Sequence, residues 1–313
     1  MNEQGELVAL RDDYAVIVPA YNAAMTLKRA LDSALAQTWP PAEVIVVDDG
    51  SPDREDIAKI TTGCVGPICL IQQANAGPAA ARNTGIIASS SPWIAFLDAD
   101  DSWLPDKMRL QLEVGREADV GLIHARAGEN REPLLSSLDF EQLWERNRIC
   151  TSTVVVRRSA LDQAGTFDVD PLLVGAEDYN LWLRICKLGW KVVGRPEVLA
   201  AYTPAEDSIT SRIEQCAAAE LHNARKLGSA LSLDPAQVRR KSMAIRIDFG
   251  RDLLHHRKMA AARKMLGQPA FRSMRPEAMK LWLVTWVPVW LLDMLRRIRR
   301  SGSFRHGITM DGG

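Results

Sequence analysis

Trp93-Ile-Ala-Phe-Leu-Asp-Ala-Asp-Asp101 joins five consecutive apolar residues to three carboxylates within four positions. An apolar run this short reads as a strand buried on both faces, and its acidic end marks where the chain leaves the sheet. Two similar runs lie upstream: Tyr14-Ala-Val-Ile-Val-Pro19, ended by proline, and Glu43-Val-Ile-Val-Val-Asp48, ended by Asp49-Gly50-Ser51. Between them Ala23 to Thr38 has helical spacing, with Leu27, Leu31, Ala34 and Leu35 on one face and Pro40-Pro41 closing it. A weaker strand at Ile68–Gln72 leads through Asn75-Ala-Gly-Pro78 into a helix over Ala79–Ser89. Strand, helix, strand, helix, strand at this spacing predicts right-handed crossovers and an α/β fold with a mainly parallel sheet. Ligands bind such sheets outside the carboxyl ends of the strands. Pro19-Ala20-Tyr21, Asp48-Asp49-Gly50 and Asp98-Ala99-Asp100 are all strand ends, so three separate segments should meet on one rim.

Beyond Asp119 the pattern loosens. Val120–Ala125 and Ser152–Val156 read as strands, Phe140–Arg146 as a short helix, and Tyr179–Leu188 as an amphipathic helix introduced by Gly175-Ala-Glu-Asp178. Another strand is expected at Lys191–Val193. From Ile213 the spacing is helical, over 213–230, 235–256, 257–266 and 276–299, which suggests a sheet domain over 1–212 and a helical extension over 213–313.

The 313 residues are 47% hydrophobic and 25% charged, ordinary values for a chain that builds a core. Five cysteines without a CxxC pair argue against zinc and a disulfide scaffold and for reduced thiols. Glu3, Glu6, Asp12 and Asp13 with no long apolar run argue against a secretory signal, and no stretch reaches the ~20 apolar residues of a spanning helix. A cytoplasmic protein is the expectation. The net charge of zero hides a split: residues 1–213 hold 20 Lys+Arg against 31 Asp+Glu, residues 214–313 hold 19 against 8. No nucleic-acid-binding motif accompanies the basic half, so nucleic acid is not an expected partner.

Three carboxylates in four residues repel one another unless a cation or hydrogen bonds compensate them. At a strand end they suit Mg²⁺ or Mn²⁺ with positions left for phosphate oxygens, although a solvated turn capping a helix over Trp103–Glu113 would use the same residues. Asp48 and Asp49 could accept hydrogen bonds from a base or a ribose, or cap a helix near Arg54–Thr61. Pro19 and Tyr21 could flank a base; a tyrosine there is equally at home in the core. Glu177-Asp178 begins a helix whose dipole favours acids, and either carboxylate could also take a proton from a sugar hydroxyl.

In this order the pieces resemble the family-2 glycosyltransferases of the GT-A fold. The resemblance rests on Val16-Ile-Val-Pro-Ala-Tyr-Asn22, Gln37-Thr-Trp-Pro40, Glu43-Val-Ile-Val-Val-Asp-Asp-Gly-Ser51, Asn75-Ala-Gly-Pro-Ala-Ala-Ala-Arg-Asn83, Phe96-Leu-Asp-Ala-Asp-Asp101 and Gly175-Ala-Glu-Asp-Tyr-Asn-Leu-Trp-Leu-Arg184, and spans roughly residues 14–205. It implies an inverting transfer of sugar from a nucleotide-diphosphate sugar, with UDP-sugar favoured, to a saccharide or lipid-linked hydroxyl in polysaccharide or glycoconjugate synthesis. It places Pro19, Tyr21, Asp48 and Asp49 around the nucleoside and Arg82 near the phosphates or sugar. Asp98 would touch ribose or metal, Asp100 would ligate the metal, Asp178 would be the base, and Glu177 would face the acceptor. Many relatives carry a histidine after the catalytic helix that helps hold metal or diphosphate; Tyr202-Thr-Pro-Ala-Glu-Asp-Ser208 has none.

Lys280-Leu-Trp-Leu-Val-Thr-Trp-Val-Pro-Val-Trp-Leu-Leu-Asp293 is apolar and tryptophan-rich, and Arg296-Arg-Ile-Arg-Arg300 follows. Tryptophan favours the membrane–water interface and arginine anionic headgroups, so 280–300 could lie on the inner face of the cytoplasmic membrane, or pack on protein. Two other functions use some of these features. A nucleotidyltransferase would need a lysine-bearing glycine-rich loop after the first strand, which is missing; a non-catalytic nucleotide- or membrane-binding scaffold would have no use for Asp98, Asp100 and Asp178 together.

Overall fold

The computed structural model describes residues 13–128, 134–201, 212–272, 275–291 and 294. They fall into two compact units that divide between Ser211 and Arg212. The first is a nine-stranded sheet flanked by helices. Its leading half alternates as read from the sequence: β1 (Tyr14–Ala20), α1 (Ala24–Leu35), β2 (Glu43–Asp49), α2 (Arg54–Gly63), β3 (Ile68–Gln73), α3 (Pro78–Ala88) and β4 (Trp93–Phe96). These strands lie parallel in the order β3-β2-β1-β4. The chain therefore steps outward from β1 to β3, then returns to add β4 on the other side of β1. That reversal opens a crevice beside the carboxyl ends of β1 and β4.

The second half makes the sheet mixed. After β5 (Ser102–Trp103) and α4 (Lys107–Val114) come β6 (Val120–Ala127), β7 (Ser137–Leu138) and α5 (Phe140–Glu145). A 3₁₀ turn (Thr151–Thr153) precedes β8 (Val155–Arg157), α6 (Arg158–Ala164), a second 3₁₀ turn (Pro171–Leu173), α7 (Glu177–Lys187) and β9 (Lys191–Ala201). β8 runs antiparallel between β4 and β6, whereas β6 and β9 pair in parallel. The strand expected over 152–156 thus begins three residues later. Thr151, Ser152 and Thr153 form the tight turn instead, consistent with hydroxyl side chains that compete with the strand ladder for backbone groups.

Burial follows the apolar pattern. Val16, Val18, Val44, Val46, Trp93 and Ala95 belong to one core cluster with Leu27, Leu31 and Ala34 of α1. On the other face α3 approaches the sheet so closely that a Cβ on Gly85 would stand 2.6 Å from Ile17 Cγ2. The turn after β2 needs its glycine for two reasons: Gly50 has φ +72°, and a Cβ there would lie 2.7 Å from the Asn75 amide nitrogen.

The second unit is helical: α8 (Ile213–Ala230), α9 (Pro235–His255), α10 (Met259–Arg272) and α11 (Pro276–Val284). Leu253, Leu254, Ala262 and Leu266 form its centre with Ile213. Two boundaries differ from the sequence reading. α10 continues past residue 266 through Pro269. The helix read over 276–299 is interrupted: α11 stops at Val284 and helical residues resume at 289, because Pro288 lacks the N–H that would bond the carbonyl four residues earlier. Arg263 secures the stop by donating to the Thr285 carbonyl (2.9 Å) and lying 3.4 Å from the Trp286 ring centroid. Among the described residues no helix is long and apolar enough to cross a membrane.

Candidate active site

The rim is built first from backbone turns. Asn22 follows β1 in the left-handed region (φ +52°), and its amide donates to Ser51 Oγ (3.2 Å). Ser51 Oγ in turn donates to the Ala20 carbonyl (3.4 Å), so the ends of β1 and β2 are stitched together. Tyr21 projects from this junction with 57% of its surface exposed. Pro19, one register step inside, pairs with Val47.

The two aspartates ending β2 point to different tasks. Asp48 is fully buried; it accepts from the Ser51 amide (2.9 Å) and from Gln72 Nε2 (3.3 Å). Asp49 accepts from Gln73 Nε2 (2.7 Å) and from the amides of Ala76 (2.9 Å) and Gly77 (2.8 Å). It therefore holds the loop that starts α3, where the helix dipole favours a negative charge. Neither residue caps α2, whose N-cap is Asp53, and Asp53 itself accepts from the Ala24 amide (2.8 Å). An ionised carboxylate offers about four acceptor positions, so Asp49 retains one beyond its three bonds.

Arg82 on α3 joins the acidic motif to the helix that carries the candidate base. Its Nη2 donates to Asp98 Oδ1 (2.8 Å) and its Nη1 to Glu177 Oε1 (2.9 Å), and the guanidinium lies 5.4 Å from the Phe167 ring centroid. Burial works to lower the Arg82 pKa, but the charges of Asp98 and Glu177 outweigh it and hold the group above its ordinary value. Glu177 is buried, and its second oxygen accepts from the Gly175 amide (2.7 Å). The motif does not cap the following helix: α4 starts only at Lys107, behind Asp106. Asp98 remains one-third exposed. Burial and the nearby charge of Asp98 raise the pKa of Asp100. A carboxylate with an oxygen beyond its arginine bond, beside a second one whose pKa is raised, fits a hard divalent cation that completes its shell with phosphate oxygens. Among the described residues no group of three His, Cys, Asp or Glu side chains gathers around one point. The Tyr202–Ser208 stretch lies outside the described residues.

Asp178 opens α7 and accepts from Thr151 Oγ1 (2.7 Å). Burial, with the charge of Glu177 beside it, pushes its pKa up to about 6. The 3₁₀ turn ties this carboxylate to the motif. Ser152 Oγ donates to Asp101 Oδ2 (2.6 Å) and accepts from the Asp98 amide (3.1 Å), and Trp103 Nε1 donates to the Ser152 carbonyl (2.7 Å). Thr151, Ser152 and Asp101 had no assigned role in the sequence reading. The hydroxyl triplet at an expected strand edge was the available signal.

The chain is similar in sequence and in fold to known proteins. The family model described as "Glycosyl transferase family 2" matches residues 15–161. An uncharacterized glycosyltransferase of Nostoc is 35% identical over 190 residues, 55% of this chain and 57% of the relative. A putative teichuronic acid biosynthesis glycosyltransferase of Bacillus subtilis, TuaG, is 30% identical, over 63% of this chain and 81% of the relative. A glucosyltransferase of Escherichia coli named for UDP-Glc and an α-D-GlcNAc-diphosphoundecaprenol acceptor, WfgD, is 30% identical over 56% and 71%. Among solved structures, a Pyrobaculum calidifontis mannosyltransferase in complex with GDP-Man and Mn²⁺ superposes with a TM-score of 0.62 at 20% identity, over 89% of this chain and 82% of that one. Staphylococcus aureus TarS with UDP-GlcNAc superposes at 0.58 and 16% identity, over 87% and 90%. These structural likenesses show a common GT-A-like fold. With sequence matches spanning most of TuaG and WfgD, the chain belongs to glycosyl transferase family 2.

Proposed function

We propose that the chain transfers a sugar from a nucleotide-diphosphate sugar to a hydroxyl acceptor with inversion, in polysaccharide or glycoconjugate assembly. The observation that carries this is the Arg82 bridge, which holds Asp98 and Glu177 at once and so brings the donor-side motif beside Asp178. Binding and catalysis are assigned to the unit within 1–212. Tyr21 and Pro19 flank the nucleoside, and Asp49 offers its remaining acceptor position to the base while Asp48 fixes the turn beneath it. Arg82 and Asp98 face the phosphates and ribose. Glu177, with both oxygens engaged, orients Arg82 rather than grasping the acceptor.

Asp98 and Asp100 would hold Mg²⁺ or Mn²⁺; such an ion supplies Lewis-acid stabilisation of the departing diphosphate. The mannosyltransferase neighbour named with Mn²⁺ supports the use of a divalent metal. In the chemical step Asp178 takes the proton of the acceptor hydroxyl as its oxygen bonds to the anomeric carbon. The bond from that carbon to the diphosphate oxygen breaks with its electron pair, and the nucleoside diphosphate leaves. A base with a pKa of about 6 is ionised near neutrality, yet basic enough to accept a proton. Thr151 orients the carboxylate. UDP is the favoured nucleotide, and a peripheral site on the inner membrane face suits a lipid-linked acceptor.

Asp178→Asn tests the assignment. Transfer should fall by at least ~10³-fold, with nucleotide affinity changed little, because the amide cannot take the proton. Turnover unchanged by that substitution would remove Asp178 as base.

A further inference from the structure

Next to the candidate active site lies a cavity of about 300 Å³ that the transfer mechanism does not use. Arg126 at the end of β6 and Arg146 and Arg148 after α5 line it, with His124 and Cys150. Cys150 stands at the boundary with the active site. The next residue, Thr151, binds Asp178, and the Cys150 thiol is pushed up to about 12 by burial and then by the charges of Asp101, Asp98 and Asp178. Consecutive Cα atoms are only about 3.8 Å apart, so the residue that binds the candidate base directly follows one that lines the cavity.

His124 is an independent sign that something polar belongs there. It is 1% exposed, and neither Nδ1 nor Nε2 has a hydrogen-bond partner among the described residues. A buried polar group in that state is costly, and a ligand hydrogen bond would recover the loss. Burial also keeps the ring neutral, so it presents one donor and one acceptor. Three arginines line the cavity, and Asp98, Asp101 and Asp178 lie near enough to Cys150 for their charges to act on its thiol. An anionic group on a saccharide would match those guanidinium groups, whose planar forks suit phosphate and carboxylate oxygens.

We propose that this cavity is an acceptor subsite for an anionic saccharide, one bearing a phosphate or a carboxylate, with Arg146, Arg148 and Arg126 binding the oxyanion and His124 a ring hydroxyl. The proposal rests on the transfer reading above. Ligand-observed NMR titration of the full chain with glucose 1-phosphate, glucuronate and glucose, in the presence of saturating nucleoside diphosphate, tests it. The charged sugars should bind roughly ten-fold or more tightly than glucose, as bonds to a charged group imply. Arg146→Gln and Arg148→Gln should each erode that preference, with melting temperatures showing that the variants are folded. The better of the two charged sugars tells phosphate from carboxylate. Equal binding of glucose, no binding of either charged sugar, or a preference that survives both substitutions would overturn the proposal. A separate titration with UDP, GDP, CDP and dTDP keeps the two readings distinct. A chain that binds none of them contradicts the transfer reading. A chain that binds nucleotide but shows no charge preference keeps that reading and loses the subsite.

Discussion

Asp178 and Arg82 carry opposite charges into the same buried region, and each constrains what the other residues can do. Because burial and Glu177 raise the Asp178 pKa to about 6, the basic form disappears as pH falls through that value. Turnover at saturating donor and acceptor should therefore rise with pH across a limb near 6 and level off above it; a limb near the ordinary aspartate value of ~3.9 would contradict the raised pKa. Removing Arg82 leaves the buried Glu177 and the part-buried Asp98 without their countercharge. Arg82→Ala should cost about 3–5 kcal/mol of stability, measurable by urea unfolding, since breaking a buried pair from one side strands a charge. Lys107 is a different case: fully buried, over the Trp103 ring, its ammonium 3.6 Å from the Met108 sulfur, with a pKa pushed well down by burial. A group whose pKa is lowered on folding penalises the fold most at low pH, and the penalty fades as pH rises toward its unfolded pKa near 10.4. Lys107→Met should thus raise the melting temperature at pH 7, and raise it less at pH 10.

At the scale of elements, strand ends were the legible part and side-chain partners were not. Asp48, Asp49 and Asp98 could be placed on one rim from the apolar runs before them, because strand periodicity and crossover handedness are local and chiral rules. Which carboxylate met which donor depended on contacts across long stretches of chain: Arg82 reaches Glu177 across 95 positions, and Thr151 reaches Asp178 across 27. The antiparallel β8 was partly hidden because its leading residues turn before they extend. At the end of α11 Pro288 was a legible signal for a kink, whereas the tertiary contact from Arg263 that meets the chain there was not. Close packing between elements yields its own expectation. Gly85→Ala puts a methyl 2.6 Å from Ile17 Cγ2, so α3 must move off β1 or the isoleucine must shift, at a cost of about 1–3 kcal/mol in equilibrium unfolding.

For the molecule as a whole, the two units differ in charge and in exposed surface. Leu283, Trp286, Val289 and Trp290 are exposed near the end of the described chain, while Arg296–Arg300 lies outside the described residues. Full-length protein should float with anionic vesicles and lose that association when 280–300 is deleted; no flotation would remove the membrane assignment. The first unit carries the central claim, that segments ending β1, β2 and β4 and beginning α7 form one metal-assisted nucleotide-sugar site. Its most direct test is the affinity for UDP, GDP, CDP and dTDP, measured by calorimetry with and without Mn²⁺, for the native chain and for Asp100→Ala. The account predicts that at least one nucleotide binds more tightly with Mn²⁺, and that the substitution removes the metal-dependent gain while leaving the metal-free affinity in place. Full metal dependence in the Asp100→Ala chain, or no nucleotide binding by the native one, would contradict it.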